Sequence, residues 1–155
     1  MVKIVFICTG NICRSPMAEG ILRDRWAKIG RDDLSVSSMG IHALDGQPAS
    51  EFARQVCREQ GIDISAHVSR QLVYDELTAA HLILMMEQVQ KEFVKTFFPR
   101  IDEKLSLLGA WPDSETRKSN IDDPMGGTLK AYRRAFDAIA FHIDRILPVL
   151  VERFG

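Results

Sequence analysis

The chain lacks most of the features that would commit it to a special environment. Only three cysteines occur in 155 residues, an odd count that cannot pair completely within one chain. Lys and Arg total 20 against 21 Asp and Glu, so neither a basic excess nor a basic stripe marks a nucleic-acid partner. No apolar run approaches the roughly 20 residues of a membrane helix, so no membrane insertion is expected. Met1-Val2-Lys3-Ile4 enters a short apolar stretch without the continuation of a signal peptide. Together with the cysteine count, this predicts a reducing, cytoplasmic setting. Internal repeats, low-complexity tracts and interdomain linkers are absent. So are the nucleotide loop Gly-x-x-x-x-Gly-Lys-Ser/Thr and the dinucleotide fingerprint.

What is present suffices for one domain over residues 1–155, since 46% hydrophobic residues supply an ample core. Val2-Lys3-Ile4-Val5-Phe6-Ile7 reads as a largely buried strand. A compact loop from Cys8 to Arg14 leads to Ser15-Pro16, where proline suits the start of a helix. Ala18, Ile21, Leu22, Arg25, Trp26 and Ile29 then recur at helical spacing until Gly30. Leu34–Met39 is a second strand, and Phe52, Val56 and Cys57 share a helix face that Gly61 ends. A turn-rich stretch carries Ser65, His67 and Arg70. Leu82–Met86 is a short strand, Glu87–Phe98 a helix, and Lys104–Leu108 a fourth strand. The polar segment Gly109–Thr128 is too long for an ordinary connector and reads as functional. A last helix begins at Leu129 and repeats apolar residues to Leu150. The expected fold is therefore α/β, a single domain with a central, mostly parallel four-stranded sheet and helices on both faces. Ligands gather at the carboxyl ends of such strands, where Cys8 falls.

Five residues separate Cys8 from Arg14, among them Gly10 and Asn11, which tolerate left-handed backbone angles. Such a loop can curl and turn successive N–H groups inward, and the following helix adds the positive end of its dipole. Arg14 closes the ring with a fork suited to two phosphate oxygens. A thiol placed there is stabilised as the thiolate. One constellation thus provides an anion cradle and a nucleophile. A metal is not expected. Cys8, Cys13, His42 and His67 would make a poor zinc set, with four residues between the cysteines and an arginine beside them.

The run Cys8-Thr9-Gly10-Asn11-Ile12-Cys13-Arg14-Ser15-Pro16, with Asp123-Pro124 late in the chain, resembles the low-molecular-weight protein tyrosine phosphatase family. Ala43, Gly46, Pro48 and Ala49, with the stretch from Gly61 to Gln71, look most like its bacterial branch. The resemblance implies a phosphate-binding loop of Cys8, Thr9, Gly10, Asn11, Ile12, Cys13, Arg14 and Ser15. Cys8 would attack phosphorus and become a cysteinyl-phosphate, while Arg14 and the loop N–H groups hold the equatorial oxygens. Asp123 would be the general acid that protonates a phenolate of pKa near 10 as it leaves. Composition alone does not separate Asp123 from Asp122. Ser15 would bond the thiolate, although as a plain residue it equally reads as a helix N-cap. Asn11 would hold the loop's left-handed turn and His67 would bond to Asn11. Cys13 would be a redox partner of Cys8, or else small apolar filler.

Departures from the better-known animal members sit around this centre. Met125 and Gly126 follow the Asp-Pro in place of tyrosines, Leu44 replaces an aromatic wall residue, Ser50 an aspartate, and Glu87 the aspartate of a Met-Asp pair. None is expected to touch phosphate, and the substrate wall becomes aliphatic, from Leu44 and Met125. A related class that dephosphorylates arginine has threonine where this chain has Ile12, so Ile12 leans toward phosphotyrosine. Thiol-based arsenate reduction needs a cysteine pair downstream, and none follows Cys57. The implied activity is phosphotyrosine hydrolysis without metal or organic cofactor. Its partner would be a tyrosine-phosphorylated protein, in some relatives a bacterial tyrosine kinase of exopolysaccharide export, met by a monomer or weak dimer. A phosphoarginine phosphatase and a non-catalytic phosphotyrosine-binding module are the alternatives.

Overall fold

A computed structural model describes all residues from Met1 to Gly155. Four strands, β1 (Val2–Cys8), β2 (Leu34–Gly40), β3 (Leu82–Met85) and β4 (Leu105–Leu107), pair in the order β2-β1-β3-β4. Every pairing is parallel. The helices are α1 (Arg14–Lys28), α2 (Glu51–Glu59), α3 (Tyr74–Ala79), α4 (Gln88–Phe97) and α5 (Leu129–Phe154). None is long and apolar enough to cross a membrane.

The alternation of β1 decides the layering. Ile4, Phe6 and Cys8 face a core shared with α1, α2 and α5, whereas Val5 and Ile7 face a second core shared with α3 and α4. A strand buried on both faces reads as a continuous apolar run, which is why Val2–Ile7 stood out in the sequence. After β2 the chain crosses over β1 to build β3 on its other side, so the strand order reverses at β1. That reversal opens a crevice beyond the carboxyl end of β1, where the loop 9–13 lies.

Boundaries differ little from expectation. Gly40 extends β2, and Lys104 belongs to a 3₁₀ turn (Pro99–Lys104) rather than to β4. Helix α3 was not foreseen. It has six residues, no side-chain cap and one buried residue, Leu77, too little for a periodicity to show. The segment 109–128 is largely irregular, with one 3₁₀ turn at Arg117–Ser119, and carries Asp123 back to the crevice.

Candidate active site

The loop after β1 has two sides. Its carbonyls are held from outside: Ile41 N–H donates to Cys8 O (3.1 Å), His42 N–H to Thr9 O (2.9 Å) and Ser50 N–H to Ile12 O (2.8 Å). His67 Nε2 lies 2.6 Å from Asn11 O, and since a carbonyl only accepts, that nitrogen carries the proton. The N–H groups of Thr9 through Arg14, in contrast, donate to no backbone acceptor. A consecutive run of unspent backbone donors, in a loop whose carbonyls are tied down on the other side, has the make-up of an anion nest. The register β1 to β2 brings Gly40 opposite Cys8. A Cβ on Gly40 would come within 2.9 Å of Thr9 O and of Asn11 Cβ, so only glycine lets the loop close there.

Asn11 is the pivot. It sits at φ 58°, the one non-glycine residue with positive φ, and is fully buried. Its Nδ2 donates to Ser15 Oγ (2.8 Å) and Ser38 Oγ (3.0 Å), and its Oδ1 accepts from Arg70 N–H (3.0 Å). Because Ser15 Oγ receives from Asn11, its own proton is free for the Cys8 sulfur, 2.9 Å away. Ser15 is the second residue of α1 and Cys13 holds the N-cap position, so the N-cap reading of Ser15 is set aside.

Arg14, 2% exposed, starts α1 beside the cradle. Its Nη1 is held by the Glu87 carboxylate and by Ile121 O (2.8 Å), and its Nη2 lies 3.5 Å from Asp123 Oδ2. Its Nε is buried with no partner. The guanidinium is thus anchored at one end and keeps the Nε/Nη2 edge for a bidentate anion. Sequence reasoning gave Glu87 no role here. It also missed Gln90, whose Oε1 accepts from Met86 and Glu87 N–H (3.0 and 2.9 Å) while its Nε2 reaches Thr9 Oγ1 (3.2 Å). Glu87 stands at the Met-Asp position noted above with no contact assigned to it, and Gln90 shows in no local motif; both lie just past the carboxyl end of β3.

Of the two neighbouring acids, Asp123 meets Arg14, and its Oδ1 accepts from Met125 N–H (3.0 Å). Asp122 forms no ion pair. Met125 is half exposed with its Cε near Gly10, and Leu44, 76% exposed, stands on the loop after β2. Ile12 is half-buried.

Cys13 Sγ is 3.4 Å from both Ser50 Oγ and the Tyr132 hydroxyl, and all three cysteines are free. Burial pushes the Cys13 thiol up, with negative charge at Cys8 and Asp123 adding to it. Burial likewise raises the Tyr132 hydroxyl to about 12. This second thiol is therefore held as a neutral group behind the first.

A sulfur at the floor of an anion nest, faced by a buried guanidinium fork, defines a cysteine-dependent phosphatase. The comparisons with known proteins give the family. The model of "Low molecular weight phosphotyrosine protein phosphatase" matches residues 3–153, and the chain belongs to that family. The chain is 37% identical over 149 residues to a probable low molecular weight protein-tyrosine-phosphatase, EpsP, of Ralstonia nicotianae, covering 96% of each. It is 35% identical over 148 residues to a protein-arginine-phosphatase of Geobacillus stearothermophilus, covering 96% of this chain and 95% of that one. Its fold is similar to the crystal structure of the low molecular weight protein tyrosine phosphatase of T. tengcongensis. The TM-score there is 0.89 at 32% identity, over 96% of this chain and 99% of the other.

Proposed function

We propose that this phosphatase hydrolyses phosphotyrosine in proteins, in two steps through Cys8. The observation that carries the reading is the sidedness of the loop: N–H groups of residues 9–14 unspent, carbonyls tied down, and the Arg14 Nε unpaired beside them. A phosphoryl group seated there has its equatorial oxygens stabilised by donors already in place, which costs no reorganisation at the transition state. Cys8 sulfur attacks phosphorus in line, the P–O bond to the leaving group breaks, and Asp123 gives that oxygen its proton. The Asp123 carboxylate then takes a proton from water as the water displaces sulfur, which restores the thiolate and releases phosphate. The Ser15 hydroxyl stabilises sulfur as it departs with negative charge, and Asn11 and His67 keep the loop in its curled form.

Phosphotyrosine rather than another phosphorylated residue is supported by Ile12, an apolar residue beside the entrance, and by Met125 near Gly10, which offer aliphatic contact to a ring. Phosphoarginine is the second reading, favoured by the kinship to the Geobacillus protein-arginine-phosphatase. The same reading places the enzyme in the cytoplasm, where free thiols persist, acting on a tyrosine-phosphorylated partner such as a bacterial tyrosine kinase. Cys13 would trap an oxidised Cys8 as a disulfide and so prevent irreversible oxidation.

Phosphate release measured side by side on phosphotyrosyl and phosphoarginyl peptides tests the assignment. The expected result is a kcat/KM preference for phosphotyrosine of at least about tenfold, a difference of about 1.4 kcal/mol. A reversed preference assigns the enzyme to phosphoarginine. Tight phosphopeptide binding without release would make it a binding module.

A further inference from the structure

One side of α4 is only partly covered by the fold, through the contact of Phe93 with the second core. Gln90 and Val94 turn inward, yet Val89, Phe93 and Phe97 recur at four-residue steps on another side. Val89 is 68% and Phe97 62% exposed, and Phe93 is only half-buried. The rings form a continuous path. His42 meets Phe93 edge-on at 5.4 Å, and Phe93 meets Phe97 at 4.7 Å. Beyond Phe97 lies a notch of about 350 Å³ lined by Tyr74, Phe97, Phe98, Pro99 and Arg100. Single exposed apolar residues are ordinary, but a contiguous aromatic strip ending in an apolar hollow marks a recognition surface.

The strip is also continuous with the mouth of the catalytic site. His42 donates its N–H to Thr9 O, and the α4 residue Gln90 bonds the Thr9 hydroxyl. Thr9 is exposed at this edge of the loop, so a polypeptide whose phosphorylated side chain occupies the cradle can run across this rim. We propose that the Val89–Phe93–Phe97 strip and its notch dock a flanking segment of the phosphoprotein substrate, with an apolar or aromatic side chain seated against Phe97 and Tyr74. This rests on the phosphotyrosine reading above and adds to it where specificity among protein substrates arises. From Gln90, which touches the loop, to Phe97 the helix rises about 10 Å, and an extended chain rises about 3.3 Å per residue. The anchoring side chain therefore lies about three residues from the phosphotyrosine.

The test compares two synthetic peptides that carry phosphotyrosine at their centre and differ only in having phenylalanine or serine three residues to either side. Wild-type enzyme should show a kcat/KM about tenfold higher on the phenylalanine peptide, the effect of one interface anchor. Phe97→Ala and Phe97→Glu should abolish that preference while leaving p-nitrophenyl phosphate turnover within about twofold. Phe97 is exposed, so neither change threatens the core. Equal rates on the two peptides, or a preference that survives both substitutions, overturns the docking site. So does a concentration-dependent dimer in sedimentation that Phe97→Glu dissolves, because the strip then belongs to a second copy. Nitrophenyl phosphate turnover with no release from either peptide overturns the phosphotyrosine reading and this site with it.

Discussion

Glu87 offers the sharpest test of how the cradle is built. Its carboxylate holds Nη1 of an arginine that is only 2% exposed, and the second group at that nitrogen is a single carbonyl, Ile121 O at 2.8 Å. Removing one partner of a fully buried ion pair costs about 3–5 kcal/mol. Glu87 is 30% exposed, so water returns part of this loss, and about 2 kcal/mol is expected for Glu87→Ala and about 1 kcal/mol for Glu87→Gln. The catalytic loss should be larger than the stability loss suggests. A fork displaced by about 1 Å costs on the order of a hundredfold in rate, so Glu87→Ala should lose about that in kcat/KM and Glu87→Gln about tenfold. Urea unfolding gives the first quantity and nitrophenyl phosphate kinetics the second. Inhibition by inorganic phosphate separates the causes. Taking away a negative charge should by itself tighten phosphate binding, whereas loosening Arg14 should weaken it. Weaker inhibition is expected. Tighter inhibition together with unchanged kcat would refute the positioning argument and leave Glu87 as a simple counter-charge.

Cys8→Ser should retain fold and phosphate binding, since the nest is made of backbone N–H groups, while phosphate release disappears; measurable turnover would remove sulfur from the first step. Asp123→Ala should slow hydrolysis of phenyl phosphate by about 10²–10³ and that of activated nitrophenyl phosphate far less, and an equal loss on both would count against acid catalysis. Asn11→Ala forces a residue with a Cβ and no compensating amide to stay at φ 58° and strips two buried hydrogen bonds and one part-buried one; about 3 kcal/mol should be lost in urea unfolding, and a loss below about 1 kcal/mol would show that the loop has another pivot. Burial pushes the Cys57 thiol up to about 12, above the roughly 8.5 of an unfolded cysteine. A folded pKa raised above the unfolded one stabilises fully below about pH 8.5 and is lost as pH climbs toward 12. Cys57→Ala should therefore lower stability at pH 7 but flatten its decline above pH 9 by up to about 1.4 kcal/mol per pH unit, and parallel pH profiles would rule out that titration.

What a local run of residues encodes was readable, and what the sheet assembles from afar was not. Cys8 to Pro16 carries thiol, turn and guanidinium in one contiguous segment, so the make-up of the loop was legible before any strand was placed. The loop's direction was not. Glycine and asparagine allow a curl but do not say which side the N–H groups take. That is decided by Ile41, His42, Ser50 and His67, which capture the carbonyls from three different segments. Ser38 and Arg70, which lock the Asn11 amide, sit in a strand and a turn with no pattern to single them out. Glu87 was visible as a residue but not as an Arg14 ligand, because its reach depends on β3 lying beside β1 in a fixed register. Composition did not separate Asp123 from Asp122 and the preference for Asp123 came from the resemblance and from Pro124; in the fold it is Asp123 that lies beside the Arg14 guanidinium. The polarity of the nest is thus a tertiary property. An isolated peptide of residues 8–16 has the same donors, but without its outer partners the carbonyls would compete for the interior and the anion site would be lost.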